Sequence, residues 1–141
     1  MNKFIPNNFK YRKIRKRVRI KKNKDYRSNT LKSGSFGLKL LQNGVISSTV
    51  FESARRSIVK KLKRTGILKI NGFSNIPVTS KSSGVRMGKG VGSISSWVFP
   101  VKKGRIIFEL EGVSANLAKN ALRSASFKLP LKTKFIDSKT I

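Results

Sequence analysis

Residues 94–111 read ISSWVFPVKKGRIIFELE and contain two apolar segments separated by a short turn sequence. The first six and the last seven residues have the length and the β-branched and aromatic content of strands, and the Lys-Lys-Gly connection suits a hairpin. In the second segment the alternation predicts that Ile106, Phe108 and Leu110 share one face. We therefore predict two antiparallel strands in a sheet with one face on the core.

Two further segments have the 3.6-residue periodicity of amphipathic helices. Asn43-Gly44 is predicted to be a turn leading into the first helix, which follows an N-cap at Ser47, Ser48 or Thr49 and ends at Gly66. The second helix is expected to begin after Ser114 and to stop before Pro130. Additional strands are predicted at 34–41, 67–73, 76–79 and 131–136. Together these elements predict an α+β fold, a two-layer domain in which an antiparallel or mixed sheet packs with two main helices.

Positive charge extends over the whole chain. There are 33 Lys and Arg residues against five Asp and Glu residues, a formal net charge of +28, and neither histidine nor cysteine. Residues 1–32 hold thirteen of the basic residues and one acid, so the other twenty basic residues lie within residues 33–141. Nucleic acid is the polyanion that most naturally relieves the repulsion within so basic a protein. We therefore expect nucleic acid to contact both parts of the chain, an N-terminal arm (residues 1–32) and a single α+β domain (residues 33–141).

The arm is predicted to be extended or irregular. Ten of the fifteen residues in the range 10–24 are Lys or Arg, and like charges this close resist regular structure without a counter-surface. Tyr11 could stack on a base or a ribose. The neighbouring side chains expected to contact phosphates are Lys10, Arg12 and Lys13. A solvated tail is the alternative interpretation.

The first predicted helix has two sides of opposite character. The apolar side consists of Phe51, Ala54, Ile58 and Leu62. The opposite side consists of Arg56, Lys60, Lys63 and Arg64. This pattern predicts that one side forms part of the core and that the other binds phosphate.

A glycine-rich loop, residues 81–93, forms a third basic segment. Glycines allow backbone amides to approach an anion closely. The spacing does not fit a nucleotide-binding P-loop, because only three residues separate Gly84 from the Gly-Lys pair at 88–89 and no Ser or Thr follows that pair. With Arg86 and Lys89 as charged contacts the loop suits insertion into folded RNA. An ordinary hairpin tip is the alternative.

The composition argues against several other functions. Without cysteine and histidine the chain lacks the commonest metal ligands, so we expect no metal site and no cofactor. Glu109 and Glu111 would lie about 7 Å apart on one strand face, but we expect them to pair with nearby Lys or Arg rather than to act in catalysis. No apolar run approaches the roughly 18–20 residues of a membrane span. We therefore expect no enzymatic activity, no small-molecule substrate and no membrane partner.

Six segments spread over the chain carry a resemblance to a known family. They are residues 9–13 (FKYRK), 34–39 (GSFGLK), 52–56 (ESARR), 85–92 (VRMGKGVG), 97–98 (WV) and 128–135 (KLPLKTKF). In this order they resemble the large-subunit ribosomal protein sixteen family of bacterial and organellar type, to about Ile136. The Arg-Met-Gly-Lys-Gly run is the most specific of these matches. The arm departs from the family at residues 14–17, where a histidine and a glycine are usual.

The resemblance implies a two-layer α+β domain that is a structural constituent of the large ribosomal subunit and not an enzyme. Its implied partners are large-subunit ribosomal RNA, neighbouring ribosomal proteins and tRNA at the aminoacyl site near the peptidyl-transferase region. The loop residues implied at the tRNA site are Arg86, Met87, Gly88, Lys89, Gly90 and Gly92. The residues expected to bind ribosomal RNA are Lys10, Tyr11, Arg12, Lys13, Arg15, Lys16, Arg17, Arg19, Arg55, Arg56, Lys60, Lys63 and Arg64.

One alternative function and one question of compartment stay open at this point. A basic architectural DNA-binding protein would be equally small and cationic, because charge does not separate RNA from DNA. The abundance of Lys, Asn, Ile, Ser and Phe indicates an A/T-rich coding genome. This favours a mitoribosome in the mitochondrial matrix, with the bacterial cytoplasm or a plastid as the alternative.

Overall fold

The computed structural model describes residues 4–7, 13–14 and 23–138. This part of the chain contains two helices and seven strands, which confirms the predicted α+β class. In chain order they are β1 (Phe36–Leu40), β2 (Gly44–Ser47), α1 (Ser48–Leu62), β3 (Ile67–Ile70), β4 (Ile76–Ser80), β5 (Ser93–Val101), β6 (Ile106–Glu111), α2 (Ala115–Ser126) and β7 (Thr133–Asp137). No helix in these ranges is long and apolar enough to cross a membrane.

The strands form two antiparallel sheets, one in the order β3-β6-β1-β7 and the other in the order β2-β5-β4. The predicted hairpin between β5 and β6 is therefore wrong, because the two strands lie in different sheets. The sequence pattern also missed β2, which follows the predicted turn and pairs with β5. Each strand of the expected hairpin thus has two other partners, and residues 102–105 connect the sheets instead.

The prediction that Ile106, Phe108 and Leu110 share one face of β6 is wrong for Ile106. The pairing of β1 with β6 contains a β-bulge, because Leu38 pairs with Phe108 whereas the next residue of β1 pairs with Ile106. The extra residue, Ile107, joins Phe108 in the buried core cluster. Ile106 is also buried, but it lies on the other face of the sheet against Gly37. A bulge adds one residue to one strand and so reverses the alternation beyond it.

Both helices begin where the capping pattern placed them. Ser47 is the N-cap of α1, and its Oγ accepts a hydrogen bond from the backbone N–H of Val50 at 3.4 Å. Helix α1 ends at Leu62, earlier than predicted, because Lys63 and Arg64 adopt left-handed backbone angles (φ 47° and 70°). Helix α2 follows Ser114 as predicted and ends at Ser126.

An aromatic cluster lies at the centre of the core. The Phe51 ring, on the apolar side of α1, stacks on Phe108 of β6 with ring centroids 5.0 Å apart. Phe99 of β5 lies 6.1 Å from Phe51, so the cluster joins both sheets to the helix. Phe4 is also buried, and its ring forms a T-shaped contact with Phe51 in which the ring centroids are 4.6 Å apart. The segment that precedes residue 32 therefore contributes one residue, Phe4, to the core.

Candidate nucleic-acid interface

The β4–β5 ribbon, residues 76–101, carries the glycine-rich loop. In the described pairing, β2 reaches only Val98 to Val101, whereas the first part of β5 pairs with β4 alone. The five residues 93–97 therefore form a two-stranded extension of about 16 Å beyond β2, at roughly 3.3 Å per residue. Ser80 and Ser93 form the last pair, and residues 81–92 connect them at the tip.

The conformation of the loop depends on its glycines. Gly84, Gly88 and Gly90 have φ angles of 84°, 96° and 92°, a region that side-chain-bearing residues rarely adopt. A Cβ at any of these three positions would meet no atom within 4 Å. Space is therefore open around them, and the backbone angle is what requires glycine. Gly92 differs, because a Cβ there would lie only 2.6 Å from the carbonyl carbon of Ser80.

The loop presents its side chains to solvent. Residues 82–91 are all exposed, and Met87 is 92% exposed. Arg86 and Lys89 make no hydrogen bond or ion pair with the described part of the chain, and the loop surrounds a concavity of about 600 Å³. Neither side chain supports the fold, so both cations are available to an external anion.

Two lysine side chains donate hydrogen bonds to backbone carbonyl groups of the loop. Lys81, which the sequence reasoning missed, donates a hydrogen bond from Nζ to the carbonyl oxygen of Gly88 across the loop. Lys13 of the arm donates from Nζ to the carbonyl oxygen of Val91 at 3.4 Å. The structure thus brings one predicted arm residue to the glycine-rich loop. The position of Lys81 at the start of a glycine-rich turn was the available signal in the sequence.

The basic stripe of α1, defined as Arg56 and Lys60 of the helix together with Lys63 and Arg64 just after its end, is exposed as predicted. Arg55 is different, because it is half-buried and its guanidinium donates from Nε and Nη2 to the two oxygens of Glu52, at 2.9 and 2.7 Å. Arg56 shares that carboxylate at 3.0 Å while remaining 67% exposed. The charge of Arg55 is thus compensated within the helix. The other three members of the stripe form no ion pair within the described residues.

Comparison with known proteins identifies the family of the chain. The family model described as "Ribosomal protein L16p/L10e" matches residues 6–136. The chain belongs to this family. It is 45% identical to the large ribosomal subunit protein uL16m of Prototheca wickerhamii over 133 residues, which cover 93% of this chain and 96% of the relative. It is 47% identical to the large ribosomal subunit protein uL16 of Chelativorans sp. (strain BNC1) over 107 residues, 76% and 78% of the two chains.

Membership of the L16p/L10e family confirms the predicted class of protein. The chain is a structural, non-enzymatic component of the large ribosomal subunit. Its partners are accordingly ribosomal RNA and other ribosomal proteins.

The described residues of this L16p/L10e protein include only part of the predicted arm contacts. Lys13 lies at the loop, as described above. The other predicted arm residues lie outside the described ranges: Lys10, Tyr11, Arg12, Arg15, Lys16, Arg17 and Arg19.

Glu52 gives the helix of this L16p/L10e protein a pH-dependent stability. The hydrogen bond from Arg55 lowers the pKa of Glu52 from 4.5 to about 2; the contact with Arg56 adds to this effect, and burial opposes it. The stabilisation is therefore complete above about pH 4.5 and is lost as the pH falls toward 2.

We expect this loss to contribute about 1–3 kcal/mol to the decrease in unfolding free energy on acidification. Urea unfolding at pH 6, 4 and 2.5 measures it. In the Glu52→Gln variant the same decrease should be smaller by that amount. Parallel pH profiles for the variant and the native protein would contradict the assignment.

The two neighbouring glutamates of β6 have different surroundings. Glu111 forms the expected ion pair, with Lys69 Nζ 2.8 Å from its Oε2. For Glu109 the prediction of a Lys or Arg partner is wrong. This carboxylate is 1% exposed, and its Oε2 accepts hydrogen bonds from the backbone N–H groups of residues 32–34 at 3.1–3.3 Å. Its Oε1 accepts from Asn71 Nδ2 at 2.5 Å.

Proposed function

We propose that the protein binds large-subunit ribosomal RNA through its arm and the basic stripe of α1, and that its glycine-rich loop helps to form the aminoacyl-tRNA site near the peptidyl-transferase region. The observation that carries the second part is the position of the loop. It lies at the tip of a ribbon that extends past the sheet, and Arg86 and Lys89 have no partner among the described residues. A cationic loop with no function in the core is suited to an RNA ligand outside the domain.

The basic stripe and the arm support the first part of the proposal. Phosphate contacts need exposed, uncompensated cations, and Lys60, Lys63 and Arg64 meet this condition. Lys13 connects the arm to the loop, so the RNA bound by the arm would continue toward the tRNA site. Arg55 is better explained as an internal partner of Glu52 that fixes the orientation of Arg56.

We also propose that the protein acts in a mitoribosome. The A/T-rich codon bias indicated by its composition favours an organelle, and the Prototheca relative, named uL16m, matches almost the entire chain. Cell fractionation tests this: the protein should sediment with large subunits from purified mitochondria. Recovery only with bacterial cytoplasmic or plastid ribosomes would contradict it. Recovery with DNA in an RNase-resistant form would favour the architectural DNA-binding alternative instead.

Loop variants test the proposed tRNA site. In Arg86→Ala, and in a Gly88→Val, Gly90→Val double variant, the fold should be retained because the loop contributes nothing to the core. Large subunits should incorporate both variants. Aminoacyl-tRNA accommodation should slow by about tenfold in Arg86→Ala, the effect of losing one charge-assisted contact. It should also slow in the double variant, because valine is strained at these positive φ angles and changes the loop backbone. Fast kinetics with fluorescent tRNA measure this rate. Ser82→Ala in the same loop is the matched control, and equal rates for Arg86→Ala and the control would refute the assignment.

A further inference from the structure

An exposed tyrosine lies at the far end of β5 from the glycine-rich loop. Tyr26 is 79% exposed and borders a concavity of about 490 Å³ that is lined by residues 24–28, Pro100, Lys102 and Arg105. Pro100 at this concavity and Ser93 at the loop lie seven residues apart in β5, which separates the two sites by about 23 Å at roughly 3.3 Å per residue. Tyr26 is therefore outside the proposed tRNA site.

The backbone on both sides of Tyr26 is fixed. Asp25 Oδ1 accepts hydrogen bonds from the backbone N–H groups of Arg27 and Ser28 at 3.1 and 3.3 Å. The N–H of Asp25 donates to the carbonyl oxygen of Lys103 at 2.9 Å, and the N–H of Ile106 donates to the carbonyl oxygen of Ser28 at 2.9 Å. The turn is thus tied to the sheet while the Tyr26 ring extends from it. Such a ring loses little freedom when a planar group stacks on it.

The surroundings of the ring are cationic. Lys24 Nζ lies 6.0 Å from the centroid of the Tyr26 ring, Arg27 is exposed, and Lys102 is half-buried in the wall of the concavity. The one acid of the site, Asp25, is occupied by the turn and by Arg105, whose Nη1 lies 3.6 Å away. An aromatic face with cations around it complements a nucleotide, which offers a planar base beside negative phosphates.

We propose that Tyr26 is a stacking platform for one unpaired base of ribosomal RNA, with Lys24, Arg27 and Lys102 contacting the adjacent phosphates. This inference rests on the proposed RNA-binding function and adds a second, separate contact to it. The base must be unpaired because the faces of bases inside a duplex are already covered by their neighbours. The sequence signal was an aromatic residue between basic ones, Lys24-Asp25-Tyr26-Arg27.

Two RNA probes with equal phosphate numbers separate stacking from charge. The full-length protein, Tyr26→Ala and Tyr26→Phe are titrated with a single-stranded uridine 24-mer and with a 12-base-pair RNA duplex. Tyr26→Ala should bind the single strand about tenfold more weakly and the duplex with less than a twofold change. Tyr26→Phe, which keeps the ring, should bind both probes like the native protein. Circular dichroism checks that the variants are folded.

Three results would overturn the inference. Native affinity of Tyr26→Ala for the single strand excludes stacking, and an equal loss on both probes indicates a general effect on charge or fold. A photoreactive amino acid at position 26 should cross-link to RNA in assembled subunits, and cross-linking to a protein instead would also reject the proposal. If the native protein binds neither probe, the proposed RNA-binding function is refuted. This outcome differs from one in which the native protein binds RNA and only the proposed contact of Tyr26 is refuted.

Discussion

Replacing Glu109 with alanine is expected to destabilise the protein by about 3–5 kcal/mol, since each buried donor left without an acceptor costs roughly 1–3 kcal/mol. The carboxylate serves three backbone N–H groups of residues 32–34 and the amide of Asn71. The carboxylate is almost fully buried, and so is the N–H donor residue Gly34, whereas residues 32 and 33 are exposed. Water can therefore replace part of the lost contacts, so the expected loss is less than four full penalties. Urea unfolding monitored by the fluorescence of Trp97 measures the change.

Glu111→Ala is the matched control, two residues further along the same strand. Its carboxylate is 44% exposed and pairs with Lys69, which is 40% exposed. An exposed pair of this kind contributes less than about 1 kcal/mol. Glu109→Gln should fall between the two alanine variants, because its amide oxygen still accepts hydrogen bonds while its NH₂ group faces donors. Equal losses for Glu109→Ala and Glu111→Ala would contradict the importance of the buried carboxylate.

The contact at Glu109 also fixes residues 32–34 against β6. A Cβ at Gly34 would lie 2.8 Å from the Cβ of Glu109, so only glycine lets the chain approach the carboxylate this closely. The N–H groups of residues 32–34 then converge on one oxygen. This fixes the position of residues 32–34 just before β1.

Local periodicity was enough to predict the helices, but not the pairing of the strands. The N-cap of α1 and the start of α2 depend on neighbouring residues, and both were predicted correctly. The error at the expected hairpin arose because β5 pairs with the preceding strand β4 and with β2, whereas β6 pairs with β1 and β3. The pairings with β1, β2 and β3 join residues distant in sequence, and contacts of that kind leave no local pattern. The bulge at Ile107 is similar, because only the pairing with β1 reveals an additional residue.

In the candidate site, too, features that depend on neighbouring residues could be predicted, whereas contacts between residues distant in sequence could not. The exposed side of α1 with Arg56 and Lys60 follows from 100° per residue, and the positive φ angles at Gly88 and Gly90 follow from a glycine-rich sequence. The surroundings of Glu109 could not be predicted, because its partners lie about 75 residues earlier in the chain. The ion pair of Arg55 with Glu52 was not predicted although the two residues are only three positions apart, since the sequence does not show that Glu52 is buried.

Neutralising Arg56, Lys60 and Arg64 together with glutamine is expected to weaken binding to large-subunit ribosomal RNA by about 60- to 500-fold at roughly 0.1 M salt. The range corresponds to two or three lost phosphate contacts at about 0.9 counterions each. The lower limit applies if Arg56, which Glu52 partly compensates, contributes little. The slope of log K against log salt should decrease by about 2–3 over the same titration.

A second triple variant shows whether this loss depends on the position of the charges. Lys119, Arg123 and Lys128 are exposed on and just after α2, and changing them to glutamine removes the same net charge. If the stripe of α1 faces the RNA, the α2 variant should keep most of the native salt slope, because long-range attraction is screened beyond about 10 Å at this salt. Equal losses in the two triple variants would mean that net charge alone governs binding, and the assignment of α1 as the interface would then be wrong.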